Sequence, residues 1–228
     1  MNLRLRRLIV ALISIVGLAA VIFAAAPPVI NQSTDPVVVP IENTGSAQAA
    51  LETLAVKGRA PKTGYARSEF GSGWATVNGC DTRAIILHRD LQNPVIDEKC
   101  TVISGILYDS YTGKVITYSR DDGSAIQIDH VIALSNAWQT GAQQLTREDR
   151  IKLANDPLEL IAVDGPANQE KGDGDAATWL PSNKVFRCEY AARQIAVKQK
   201  YSLWVTSAEK EAMLQILGTC PMQTLPSR

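Results

Sequence analysis

Three arginines, Arg4, Arg6 and Arg7, stand in front of an apolar run, residues 8–26, that carries no charged side chain. A positive flank, an apolar stretch and then small residues make the pattern of an export signal. The run of 19 residues is also long enough to cross a bilayer. Ala24-Ala25-Ala26 resembles a cleavage site, but Pro27 and Pro28 come immediately after it and make a poor substrate for signal peptidase. Two readings therefore stay open, a cleaved signal peptide or a membrane anchor through residues 8–26. In both, the basic flank stays inside and the rest of the chain is exported. The remainder of the chain has to fold outside the cytoplasm, either secreted or held on the outer side of the membrane.

Export gives the cysteines a meaning. There are four, Cys80, Cys100, Cys188 and Cys220, none in CxxC spacing, which argues against a zinc site. An even number in an oxidising compartment implies two disulfides. Joining chain neighbours gives Cys80–Cys100 and Cys188–Cys220. With 228 residues there is material for one substantial core. The expected organisation is a signal or anchor over residues 1–26, a Pro-, Thr- and Asn-rich linker over 27–55, and one domain over 56–228. Without the three leader arginines the chain has 20 basic against 23 acidic residues. It therefore has no global positive field, and any nucleic-acid binding has to come from a local basic patch or a bound metal.

The pattern of elements reads as α+β. Ser46 can cap a short helix through Leu54. Val102 to Tyr108 and Lys114 to Tyr118 are β-rich runs around Tyr111-Thr112-Gly113, an expected hairpin. Ile126 to Leu134 and Leu158 to Val163 read as further strands. Helices are expected from Thr146, from Gly165-Pro166, from Ser182 to about Tyr201, and from Thr206 or Ser207 to Gly218. Trp74, Trp138, Trp179 and Trp204 are assigned to the core, as are Phe186, Tyr190 and Val197.

The chain has two histidines. His88, in IILHRDL, has no acidic neighbour in a motif and is placed on the surface. His130 follows Asp129 in IQIDHVIAL. Neighbours in a regular strand point to opposite faces, so the two can share a site only where the strand ends or bends. Downstream, Asn155 precedes a strand in NDPLELIAV. Asn168 and Lys171 in GPANQEKGD stand three apart, on one face of a helix. The first turn of a helix presents N–H groups suited to phosphate.

This order resembles the ββα-metal, or HNH (His-Me finger), nuclease motif. The wider set VKGRAPKTGYAR, CDTR, RDL, SGILYDSYTG, DHVIALSNAW, NDPLELIAV, ANQEKGD and WLP is similar to exported bacterial HNH endonuclease-family proteins. Their nuclease domain is similar to the C-terminal domain of GmrSD-type modification-dependent restriction enzymes. The resemblance covers about residues 55–220. It implies an HNH core with an added β-hairpin and C-terminal helices, acting as a metal-dependent endonuclease on nucleic acid, DNA before RNA. It assigns His130 as general base, Asp129 and Asn168 as metal ligands, and Asn155 as the residue that holds the His130 loop by backbone hydrogen bonds. Lys171 is assigned to the phosphate. Oxygen ligands suit magnesium or manganese. Neutral imidazole can take a proton from water, so a rate rising with pH through the ordinary histidine range near 6.5 is expected.

Arg83 and Arg89 are candidate phosphate contacts. Lys184, Arg187, Arg193, Lys198 and Lys200 are read either as a phosphate track or as a solvated helix face. The competing function is a non-catalytic exported envelope or partner-binding protein on an HNH-like fold. A metallopeptidase is excluded by the lack of HExxH and by too few histidines.

Overall fold

The structure is a computed structural model that describes residues 46–226. The leader, the membrane-anchor reading and most of the 27–55 linker lie outside the described residues. Within them no helix is long and apolar enough to cross a membrane. The packed unit starts earlier than the sequence suggests. Ser46 caps helix α1 (Ala47–Glu52), its side chain accepting from the Ala49 N–H, and Ala47 and Leu51 are fully buried. The chain from Ser46 therefore belongs to the core and not to a linker.

A two-residue ribbon, β1 (Thr76–Val77) with β2 (Cys80–Asp81), leads into α2 (Thr82–Asp90), which Asp81 caps through the Ala84 N–H at 2.6 Å. Strands β3 (Gln92–Ile96), β4 (Val102–Tyr108) and β5 (Val115–Ser119) form an antiparallel sheet in that order. The expected hairpin is its β4–β5 half. Gly113 takes the turn at φ 75°, a conformation that costs glycine little.

Strands β6 (Ile126–His130) and β7 (Leu160–Asp164) pair antiparallel, His130 opposite Leu160 and Ile126 opposite Asp164. Helix α3 (Leu134–Gln139) follows β6, and α4 (Arg147–Ala154) lies between the two strands in sequence, capped by Thr146. Helix α5 (Gly165–Lys171) follows β7 directly. Asp164 caps it through the Ala167 N–H, and Pro166 occupies the first turn, where its missing N–H is not needed. A Cβ at residue 165 would collide with the Ser124 carbonyl oxygen, so only glycine lets α5 start against β6. The chain ends in α6 (Arg187–Lys200) and α7 (Ser207–Leu217), the latter opened by a Thr206–Glu209 capping box.

Three apolar clusters hold these parts. Val131, Ile132, Trp138, Leu153, Phe186 and Tyr190 are among the members of the first. The second joins α1 to α6 and α7 through Leu51, Ile195, Met213 and Leu217. The third packs α2 on the two larger sheets through Ile86, Leu87, Leu107 and Leu160.

Two element boundaries differ from the sequence reading by four residues or more. The strand expected over 126–134 stops at His130, because the next backbone groups are taken elsewhere. The Val131 N–H donates to the Glu159 carbonyl, and the Val131 carbonyl accepts from Gln194 Nε2 at 2.7 Å. The long helix expected from Ser182 starts at Arg187. Ser182 instead donates to the Tyr111 carbonyl, and Asn183 caps a 3-10 turn, Lys184–Phe186.

Both expected disulfides are present, Cys80–Cys100 and Cys188–Cys220. On the chain-entropy account each contributes about 3–4 kcal/mol. We expect intact-mass analysis of protein from an oxidising compartment to show no alkylation before reduction and four alkylated thiols after it. Labelling without reduction would refute the pairing.

Candidate active site

His130 is the last residue of β6 and is only 6% exposed. Its Nε2 lies 2.9 Å from the carbonyl oxygen of Ala154, the last residue of α4. A carbonyl can only accept, so Nε2 carries the hydrogen and Nδ1 keeps its lone pair. The inserted helix between β6 and β7 thus sets the tautomer. Trp74 lies nearly parallel to the imidazole, at 9° and 5.8 Å between centroids. Burial pulls the His130 pKa down to about 3, with the charges of Arg67 and Lys171 acting the same way and the Ala154 bond opposing. The ring is therefore neutral throughout pH 5–8, and the expected titration near 6.5 does not apply to it.

An open cleft of about 480 Å³ lies against His130. Asp129, Asn168, Gln127, Arg83 and Arg67 also line it. The end of the strand at His130 is what lets Asp129 and His130 share it. Asp129 accepts from the Tyr111 hydroxyl at 2.6 Å and from the Lys171 ammonium at 3.0 Å. Asn168, on α5, donates through Nδ2 to Gln127 Oε1 at 2.9 Å, which leaves its carbonyl oxygen as the free acceptor. Among the described residues no cluster of three or more His, Cys, Asp or Glu is placed to hold a metal ion. The oxygen donors that line the cleft include the carboxylates of Asp129 and Asp173, the side-chain amide of Asn168 and the Ser135 hydroxyl, with both Asp129 oxygens also hydrogen-bonded. That set fits a hard ion such as magnesium, which keeps several waters and takes the rest of its ligands from substrate phosphate.

Three of the sequence assignments change. Lys171 is 3% exposed, paired with Asp129 and donating to the His130 carbonyl at 2.8 Å. It points into the protein because helix α5 is packed against β6, and it is not available to a phosphate. Asn155 does not hold the His130 loop. Its side chain accepts from the Ala75 N–H at 2.8 Å and donates to the Ile151 carbonyl, so it fixes the segment that carries Trp74. Glu159 holds the loop instead. It is fully buried, both its carboxylate oxygens lie within 3.3 Å of the Ile132 N–H, and its backbone carbonyl takes the Val131 N–H. Burial pushes the Glu159 carboxyl well above its usual range, against the Lys171 charge. Arg89 is consumed by Asp90 and by the carbonyls of Pro157 and Leu160.

The cations of the long helix are dispersed and do not form a track. Lys198 is buried against Glu209, Arg187 donates to the Pro181 carbonyl, and Lys200 pairs with Asp156. Trp138 and Trp204 are core residues, as are Phe186, Tyr190 and Val197, and His88 is exposed.

Sequence reasoning missed Tyr111, Glu159, Trp74 and Arg67. The first two carry no local signal, since a turn tyrosine and a strand-edge glutamate look like surface. Arg67 is exposed, has no hydrogen bond or ion pair among the described residues, and lines both the cleft and a smaller cavity of about 220 Å³ on which His130 and Trp74 also border.

The model of the family described as GmrSD restriction endonucleases, C-terminal domain, matches residues 84–216. A protein of Arthroderma benhamiae, described as an uncharacterized secreted protein, is 40% identical over 183 residues, which is 79% of this chain and 87% of that protein. The family match spans β7 and α5 and everything between His130 and Asn168, so these residues of the cleft belong to the matched region. The chain belongs to the family of the GmrSD restriction endonuclease C-terminal domain.

Proposed function

We propose that this protein is an exported, metal-dependent endonuclease with an HNH-type ββα-metal core, in which His130 activates the attacking water. Family membership carries the coarser part, a nuclease-type function with nucleic acid as substrate. The observation that best supports the rest is the His130–Ala154 bond, which leaves Nδ1 of a neutral imidazole unprotonated on a residue that lines the same cleft as Asp129 and Asn168. The strand, strand, helix order β6, β7, α5 around these residues supports the ββα reading. The description of the Arthroderma relative as secreted supports export.

In this reading His130 Nδ1 accepts a proton from water as the water oxygen attacks phosphorus and the ester oxygen leaves. Positioned base catalysis of this kind is worth roughly 10²–10⁴-fold in rate. Asp129 and Asn168 would hold magnesium or manganese, which would offset charge on the scissile phosphate and on the leaving oxygen. Tyr111 and Lys171 fix the Asp129 carboxylate through hydrogen bonds to its two oxygens. Arg83, whose Nη1 lies 3.4 Å from the Tyr118 hydroxyl, faces the cleft and can meet the substrate phosphate.

Supercoiled plasmid and a structured RNA, each with magnesium, manganese or chelator, test the reading. Metal-dependent nicking of DNA is expected. Absence of cleavage of both polymers under every metal would favour the exported partner-binding protein. Asn168→Ala should raise the manganese needed for half-maximal rate by about tenfold or more, since even outer partners of metal ligands are typically worth 10–100-fold. An unchanged manganese titration would remove Asn168 from the ligand set.

A further inference from the structure

Arg83 lines a second, smaller cavity as well as the cleft. This cavity of about 110 Å³ is bordered by Lys99, Arg120, Thr101, Tyr118 and Asp81. It has room for several waters, enough to take a phosphate group. Three cationic residues line it. Lys99 and Arg120 are exposed, and neither side chain has a hydrogen bond or ion pair among the described residues. The two carboxylates of Asp81 and Asp97 are held by backbone N–H groups. Asp81 accepts from the Ala84 N–H. Asp97 accepts from the N–H groups of Lys99 and Thr101, and these bonds hold its carboxyl below the usual range, with Arg120 adding to the effect. The segment is fixed by the Cys80–Cys100 bridge. A chain with an excess of acids over bases outside its leader has nonetheless gathered three cations around one small polar hollow that adjoins the cleft.

The geometry points to a phosphate subsite formed by Arg83, Lys99 and Arg120, which takes a neighbouring backbone phosphate of the nucleic-acid strand whose scissile phosphate lies at His130. The inference rests on the nuclease reading for the second half of that statement. Its ligand chemistry, a phosphodiester anion, rests on the cations alone. The local positive patch that the overall charge demands is thereby located at the β2–α2 and β3–β4 end of the cleft. Arg83 bridges the two phosphates, and a substrate with only one phosphate gains nothing from the subsite.

The test compares the wild type with the double variant Lys99→Ala/Arg120→Ala, which leaves every cleft residue in place. Both side chains are exposed, so the thermal midpoint should not move. On a long oligonucleotide, KM should rise by about tenfold with kcat unchanged, and the slope of log affinity against log salt should fall by about 1 for each cation removed. Cleavage of bis(4-nitrophenyl) phosphate, which has one phosphate, should be unaltered. The charge-preserving pair Lys99→Arg/Arg120→Lys should behave as wild type. Unchanged KM and salt slope in the alanine variant would overturn the subsite.

The nuclease reading fails separately, if the wild type cleaves nothing. The subsite is then judged by metal-free oligonucleotide binding, where the same loss of salt slope supports it and equal binding by both proteins, or none by either, refutes it.

Discussion

Replacing His130 is expected to lower the cleavage rate by at least ~10²-fold, the lower end of what a positioned base contributes. His130→Ala also strips the Ala154 carbonyl of its donor, and an unpaired buried acceptor costs about 1–3 kcal/mol. His130→Asn should therefore be measured beside it, because an amide can still donate toward that carbonyl while lacking a basic nitrogen. Both variants should lose at least ~10²-fold in rate, and His88→Ala should be as active as wild type. Full nicking by a folded His130→Asn protein would sink the mechanism.

The pH behaviour separates this site from an ordinary histidine. With the His130 pKa pulled down to about 3 by burial, the imidazole is already neutral at pH 5, so the rate should show no rise through 6.5. A clear ascending limb centred there would place the working base in a more solvated setting than the structure gives it. Stability should carry the complementary signature. Between the folded value and the unfolded value of about 6.5 the unfolded chain binds more protons at this position. Stability rises with pH across that window and is lost as pH falls through it. Urea titrations of wild type and His130→Asn at pH 4.5 and pH 7 should show the loss in the wild type and less of it in the variant.

The second large effect is on stability. Lys171→Met removes the cation that is fully buried against Asp129. It leaves a carboxylate held by the Tyr111 hydroxyl and frees the His130 carbonyl. Breaking a buried ion pair from one side typically costs 3–5 kcal/mol, because the remaining charge is uncompensated. We expect a loss of about that size in urea unfolding, with much of it recovered in Asp129→Asn/Lys171→Met, where no charge is left behind. If Lys171 were the phosphate contact its spacing suggests, the single variant would keep its stability and lose substrate affinity. A fully stable Lys171→Met protein with raised KM would restore that assignment.

Lys171 marks the point where sequence and tertiary structure divide. Local chemistry is written in the chain. Side-chain caps at Ser46, Thr146 and Thr206 satisfy the first N–H groups of their helices within three residues, so those helix starts could be read without the rest of the protein. The same holds for the β4–β5 hairpin and for pairing cysteines with their chain neighbours. Asp129, His130 and Asn168, assigned through the resemblance, line one cleft in the fold. Which polar groups face inward is not decided locally. Lys171 and Asn168 stand on the same helix, yet Asn168 lines the cleft and the Lys171 ammonium is buried on Asp129 and the His130 carbonyl, because α5 is pressed against β6 at Gly165. Glu159 reads as a polar residue at a strand edge. It is a loop anchor because the chain turns after His130 and presents the Ile132 N–H to it, 27 residues away in sequence. Helix spacing and capping are decided over a few residues, where backbone geometry is nearly fixed. The partners of buried charges are chosen by the packing of segments far apart in the chain, and only the folded structure carries that information.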